Sequence, residues 1–168
     1  SFFSARSDIL RKIVTAFQRE PVELVIASGV TPRSELGQIP AHWTVAEHLP
    51  QPSVIAHSSL VITHGGNNTV TEALTGGVPL LVAPLSTDQF TAAADIEQLG
   101  LGRAFDPNFD SADTITDLAD EVLTRSSGLA AALGHRLRRR PGQTLAADLL
   151  EAVLAGSSLF RSRTDDVA

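Results

Sequence analysis

The spacing of apolar residues divides most of the chain into alternating helices and strands. Residues 7–19 carry apolar side chains at helical spacing, and Pro21 ends this predicted helix. Short apolar runs rich in β-branched residues predict buried strands at 22–27, 59–63 and 80–83. Because strands and helices alternate over short connections, the pattern predicts an α/β fold with a Rossmann-like parallel sheet flanked by helices.

The last part of the chain departs from this alternation and is helical. The remaining predicted elements are a loop at 31–41, strands at 43–49 and 101–105, and helices at 53–57, from 67–69 onward, at 87–99, 113–123, 127–140 and 144–154. Ser7 is expected to cap the first helix. We expect a single domain over residues 1–156, with a helical C-terminal segment, and a flexible polar tail at 157–168.

A polar turn with two glycines joins the strand predicted at 59–63 to the next helix. It reads His64-Gly65-Gly66-Asn67-Asn68-Thr69. The glycines allow close approach to the backbone, and each of the three residues after them can cap a helix. Unpaired N–H groups and the helix dipole favour an anion at a helix start. The turn is therefore a candidate phosphate site, where His64 could donate a hydrogen bond or carry a positive charge.

Composition and charge narrow the class of protein. Thirteen basic and nineteen acidic residues give a net charge of −6, which disfavours nucleic acid or an anionic membrane as the main partner. The chain has no cysteine, which excludes a disulfide framework and a thiolate metal site. The sequence shows no apolar run of membrane-spanning length and no signal peptide, so we expect a cytoplasmic protein.

The residues around the glycine turn form a longer motif. It comprises His64-Gly65-Gly66, Asn68-Thr69, Glu72-Ala73, Gly77-Val78-Pro79 and, after Pro84, Asp88-Gln89. This motif resembles the donor-binding signature of family 1 glycosyltransferases, which include UDP-glycosyltransferases and bacterial natural-product glycosyltransferases. The resemblance is firm over residues 50–102. It implies the C-terminal half of a two-domain GT-B fold, whose N-terminal half holds the acceptor site and the general base.

The resemblance also implies a role for each matching residue. The residues implied at the nucleotide and its diphosphate are His48, Leu49, Gln51, His64, Gly65, Gly66, Asn67, Asn68, Thr69 and Glu72. Among them, Glu72 would bind the ribose hydroxyls. Asp88 and Gln89 would bind hydroxyls of the transferred sugar. No catalytic residue, bound metal or cofactor is expected in this chain.

One segment departs from the family pattern. His48-Leu49-Pro50-Gln51 matches a stretch that is often Trp-x-Pro-Gln, in which the Trp stacks on the base and the Gln meets the nucleotide. Here a histidine stands in place of that Trp. It either stacks on the base, with less area than an indole, or lies exposed in a loop.

Structural explanations remain open for several of these residues. Thr69-x-x-Glu72 is also the pattern of a capping box, and Asp88-Gln89 could be only a helix start. Trp43 is expected in the core or on an edge strand, and His57 is expected to pack or cap. The arginines at 136, 138, 139 and 140 are expected on a solvated surface.

The hypothesis that follows is the donor-binding domain of an inverting glycosyltransferase. The full protein would move a sugar from a UDP- or dTDP-sugar to an acceptor hydroxyl, and this chain alone would be inactive. The alternatives are a stand-alone donor-binding subunit that needs a partner chain, and a GT-B sugar-nucleotide epimerase. No Gly-x-Gly-x-x-Gly follows a strand, which excludes a dehydrogenase. The start at Ser1, where the family has a turn after its first strand, suggests that this strand is missing.

Overall fold

In the computed structural model, which describes residues 6–139 and 141–154, helices alternate with short parallel strands. The elements are α1 (Ser7–Phe17), β1 (Val25–Ala27), a 3-10 turn (Arg33–Glu35), β2 (Thr44–Ala46), α2 (Gln51–Ile55), β3 (Val61–Thr63), α3 (Asn67–Gly76), β4 (Leu80–Val82), α4 (Thr87–Gln98), β5 (Gly102–Ala104), α5 (Ala112–Arg125), α6 (Ser127–Arg139) and α7 (Gly142–Leu154). Every predicted helix and strand within the described residues is present. The strands are shorter than predicted, because only the middle of each apolar run joins a ladder. The predicted tail lies outside the described residues.

The strands form two parallel sheets. β1 pairs with β2, with Ile26 opposite Val45, and the second sheet has the order β3-β4-β5. β4 lies in the middle of that sheet, and its three residues have no exposed surface. Burial on both faces explains why this strand is continuously apolar in the sequence. The predicted α/β class with parallel strands between helices is confirmed.

One apolar cluster joins the two sheets. It contains Ile26 of β1, Leu81 of β4, residues of α1 such as Ile9 and residues of α5 such as Ile115. Trp43 belongs to this cluster, is 4% exposed, and donates from Nε1 to the Val22 carbonyl at 2.9 Å. Its predicted place in the core is therefore confirmed. A second cluster lies around β4 with side chains of α2, α3, α4 and α6.

Helix α6 packs very closely on the end of α3. A Cβ on Gly134 would lie 2.5 Å from the Gly77 Cα, so only glycine fits there. Gly77 itself ends α3 with φ +82°. Arg138 is exposed, as predicted for the arginine cluster, but it also donates to the Thr75 carbonyl at the C-terminal end of α3. A cation at this end also suits the helix dipole, so α6 holds the far end of α3 in place.

The predicted cap of the first helix is wrong. Helix α1 starts at Ser7, and its N-cap is Arg6, which makes no side-chain capping hydrogen bond. The Arg6 guanidinium instead bonds both carboxylate oxygens of Asp8, at 2.8 and 2.7 Å. No helix in the described ranges is long and apolar enough to cross a membrane.

Candidate functional site

The connection from β3 to α3 consists of His64, Gly65 and Gly66. Gly65 has φ +87°, a backbone region that side chains disfavour, and a Cβ there would lie 3.0 Å from Val82 Cγ1. Gly66 has an ordinary extended backbone, but a Cβ there would lie 2.6 Å from the His64 Nε2. The turn therefore requires a glycine at 65 for its backbone angle, whereas a side chain at 66 would displace the His64 ring.

The start of α3 carries no side-chain cap. Its N-cap is Gly66, which has no side chain to offer the first-turn N–H groups. The prediction that Asn67, Asn68 or Thr69 caps this helix is therefore wrong, because these residues are its first three members. Asn67 and Asn68 are exposed there. N–H groups that no side chain caps favour an anion at this end of the helix.

The His64 ring lies against this helix start and is half-buried. Burial lowers the pKa of His64 from its ordinary value of 6.5, while the Asp88 carboxylate acts in the opposite direction. The imidazole is therefore neutral at pH 7. Of the two roles considered for it, donation of a hydrogen bond fits the free protein and a standing positive charge does not.

The connection from β4 to α4 carries the predicted sugar-binding pair. Gln89 is 8% exposed, and its Oε1 accepts from the N–H groups of Leu85 at 2.8 Å and Ser86 at 3.2 Å. Gln89 therefore takes part in capping α4, as the structural alternative for this pair proposed. Asp88 is exposed, and its Oδ1 accepts from the Ser86 hydroxyl at 3.0 Å.

The two connections lie side by side. β3 and β4 are parallel neighbours, with Thr63 opposite Val82, so both chains leave the sheet at the same edge. A Cβ on Gly65 would lie 3.6 Å from the Gln89 carbonyl oxygen. The fold thus brings the predicted phosphate residues and the predicted sugar residues together, and Asp88 is near enough to influence His64. In open α/β sheets ligands bind at this carboxyl edge.

A contact between α2 and α3 completes the site. The Gln51 Nε2 donates to Glu72 Oε2 at 2.7 Å and to Thr69 Oγ1 at 3.2 Å. Thr69 and Glu72 are the third and sixth residues of α3, so they do not form the capping box considered for them. The sequence motif placed Gln51 and Glu72 at the same nucleotide, but it held no sign that they touch.

The remaining predicted residues lie in and around the loop before α2. The His48 side chain is 87% exposed and lies 3.5 Å from the Glu47 carboxylate, as the exposed-loop alternative describes. Leu49 is half-buried. His57 follows α2, and its Nδ1 lies 2.8 Å from the Ser53 carbonyl, in agreement with the predicted capping role.

This arrangement suits a polar ligand that carries an anionic group. Neutral donors lie at the start of α3, Glu72 is the sixth residue of that helix, and Asp88 lies in the first turn of α4. Among residues 6–139 and 141–154, no group of three or more histidines and acids is placed to hold a metal ion. Hydroxyl groups of a ligand that also carries a phosphate are the groups that match such carboxylates.

Similarity to known proteins covers most of the chain. Residues 11–141 match the family described as erythromycin biosynthesis protein CIII-like, C-terminal domain. Demethyllactenocin mycarosyltransferase of Streptomyces fradiae is 31% identical over 159 residues, which cover 92% of this chain and 34% of that protein.

Solved structures show the same relation. CalG4, the calicheamicin glycosyltransferase, superposes with a TM-score of 0.79 and 27% identity, over 89% of this chain and 40% of that one. The glycotransferase of kitacinnamycin superposes with a TM-score of 0.77 and 30% identity, over 85% of this chain and 38% of that one. The chain thus spans between about a third and two fifths of the length of these three proteins.

Proposed function

Since the chain belongs to the family of erythromycin biosynthesis protein CIII-like C-terminal domains, within the GT-B family 1 glycosyltransferases, we propose that it binds the nucleotide-sugar donor. Glycosyltransferases of this family use nucleotide sugars. The observation that carries the proposal is the adjacency of the β3–α3 and β4–α4 connections, where a Cβ on Gly65 would lie 3.6 Å from the Gln89 carbonyl oxygen. A diphosphate at the first would place its sugar toward the second.

The diphosphate is assigned to the turn of His64, Gly65 and Gly66 and to the first residues of α3. Backbone N–H groups and the helix dipole would meet the phosphate oxygens, and the neutral His64 would donate to one of them. Asn67, Asn68 and Thr69 would add polar side chains around the phosphates. As the bond to the sugar breaks, negative charge grows on the leaving diphosphate, and these donors would stabilise it in the transition state.

The two ends of the donor are assigned to the two carboxylates. Glu72, with Gln51 beside it, would accept from ribose hydroxyls, and His48 and Leu49 before them would lie on the base side. Asp88 would accept from hydroxyls of the transferred sugar. Because the Oε1 of Gln89 already caps α4, Gln89 would reach the sugar through its amide N–H groups.

The whole protein would then transfer a sugar from UDP or dTDP to an acceptor hydroxyl with inversion. No general base is assigned within this chain, so the acceptor and the base would belong to an N-terminal half or to a partner chain. In isolation, this chain would bind nucleotide weakly and would not transfer sugar.

A titration of the isotope-labelled chain with UDP and dTDP tests the proposal. We expect saturable NMR shifts of the backbone amides of Gly66, Asn67 and Asn68, and much smaller shifts there with uridine, which has no diphosphate. The start of α5 is an internal control, because Ser111 caps it by accepting from the Thr114 N–H at 3.0 Å. Equal shifts at both helix starts would indicate unspecific anion binding and contradict the proposal.

The alternatives are separated by a second measurement. A glycosyltransferase needs an acceptor, whereas an epimerase converts a nucleotide sugar by itself. Conversion of a nucleotide sugar without acceptor by the protein that contains this chain would overturn the transferase assignment. Activity that returns only on mixing with a second polypeptide would identify a donor-binding subunit.

A further inference from the structure

The loop after β1 lies beside the segment that the proposed function gives to the nucleotide base. β1 and β2 are parallel, and their chains stay together past the strand ends, because Gly29 donates its N–H to the Glu47 carbonyl at 3.1 Å. Val30 follows Gly29, and His48 follows Glu47. Each of these two residues is therefore the immediate neighbour of a residue in the hydrogen bond that joins the two segments.

A tight turn presents Val30 to the outside. The Thr31 N–H donates to the Ser28 carbonyl at 3.0 Å, which closes a four-residue turn with Gly29 and Val30 at its tip. Gly29 has φ +54°, a left-handed angle that glycine adopts without strain. Ser28 and Thr31 are 6% and 5% exposed, whereas Val30 is 76% exposed. The turn is therefore anchored by buried residues at both ends and exposes a branched apolar side chain at its tip.

An apolar side chain at this place matters because of how the bases of UDP and dTDP differ. Uracil and thymine have the same hydrogen-bonding edge, and thymine adds a methyl group at C5. Hydrogen bonds to that edge therefore cannot separate the two bases, whereas an apolar side chain can bury the methyl group. The ring available for stacking here is the His48 imidazole, which is smaller than an indole, so a further contact with the base carries more weight.

We propose that Val30 contacts the C5 methyl group of a thymine base, so that the site prefers thymine to uracil when the nucleotides are otherwise the same. The inference rests on the proposed function, in which His48 and Leu49 lie on the base side. The contact buries one methyl group of the ligand against the methyl groups of valine, so the preference is about two- to fourfold. Val30 is thus a residue that determines specificity for the base.

Intermolecular NOEs test the contact directly in the unchanged chain. With the valine methyl groups isotope-labelled and dTDP added to saturation, we expect an NOE between the thymine methyl group and the methyl groups of Val30. Val25, at the other end of β1 and 42% exposed, is the internal control and should show none. Saturable binding of dTDP without an NOE to Val30, or with an equal NOE to Val25, would overturn the proposal.

Affinities for UDP and 5-methyl-UDP, which differ only in the methyl group, measure the preference. In NMR titrations the wild-type chain should bind 5-methyl-UDP about two- to fourfold more tightly, and Val30→Ala should bind the two compounds about equally. Val25→Ala is the matched control and should keep the wild-type preference. Equal affinities in the wild-type chain, or an undiminished preference in Val30→Ala, would contradict the assignment of Val30. If neither compound binds, it is the proposed function that fails.

Discussion

Replacing Gly66 by alanine tests the turn most directly, because it separates binding from stability. The Gly66 backbone is one that alanine adopts freely, so the change costs the fold only the poorer N-cap, about 0.5–1 kcal/mol. The new methyl would lie 2.6 Å from the His64 Nε2, and ordinary contact begins at 3.4 Å, so the ring must move by about 0.8 Å. A hydrogen bond to a phosphate does not survive such a shift at full strength. We expect a loss of about 1–2 kcal/mol in diphosphate affinity.

Gly65→Ala is the matched comparison. Its φ of +87° is costly for alanine, about 1–3 kcal/mol, and the methyl would also meet Val82 Cγ1 at 3.0 Å. Urea unfolding should therefore rank Gly65→Ala as clearly less stable than Gly66→Ala. Calorimetry with UDP should show weakened binding in Gly66→Ala at nearly normal stability. Normal UDP affinity in Gly66→Ala, or the opposite order of stability, would refute the account of this turn.

Three further predictions concern other parts of the molecule. Burial lowers the pKa of His64 below 6.5, so protonation of this side chain favours the unfolded chain. The free energy of unfolding of the wild type should therefore fall, relative to that of His64→Gln, as the pH is lowered from about 6.5 through the folded pKa. Urea unfolding measured over this pH range checks it, and the same pH dependence in both proteins would contradict it. Asp88→Ala should spare binding of free UDP while weakening binding of the nucleotide sugar, and equal losses in calorimetry would remove the sugar assignment. Gly134→Ala should lower the free energy of unfolding by about 1–3 kcal/mol, because its methyl would lie 2.5 Å from the Gly77 Cα; an unchanged urea midpoint would contradict the α3–α6 packing.

The sequence predicted the features that depend on neighbouring residues. The alternation of apolar runs placed β3 and β4, because burial of a strand is recorded in its own side chains. The motif from His64 to Gly66 located the turn, since the φ of Gly65 favours glycine and the absence of a side chain at Gly66 leaves room for the His64 ring.

The features that the sequence did not predict depend on residues far apart in the chain, or on a choice between several residues that could fill the same role. Three polar residues at the start of α3 can all cap a helix in principle, yet the helix begins one residue earlier, at a Gly66 cap. The hydrogen bond from Gln51 to Glu72 joins residues 21 positions apart, and no local pattern reports it. For Gln89 the sequence offered two readings, a place in the motif and a place at a helix start, and the side chain does help to cap α4.

The contact of Gly134 with Gly77 also limits how this domain can be recombined with its relatives. α3 has 10 residues, so its start, at the candidate phosphate site, lies about 15 Å from the end that α6 holds. A chimera that took α3 from one parent and α6 from another would keep this contact only if both parents supplied a glycine there. Crossover points for hybrid enzymes should therefore keep residues 67–139 from a single parent.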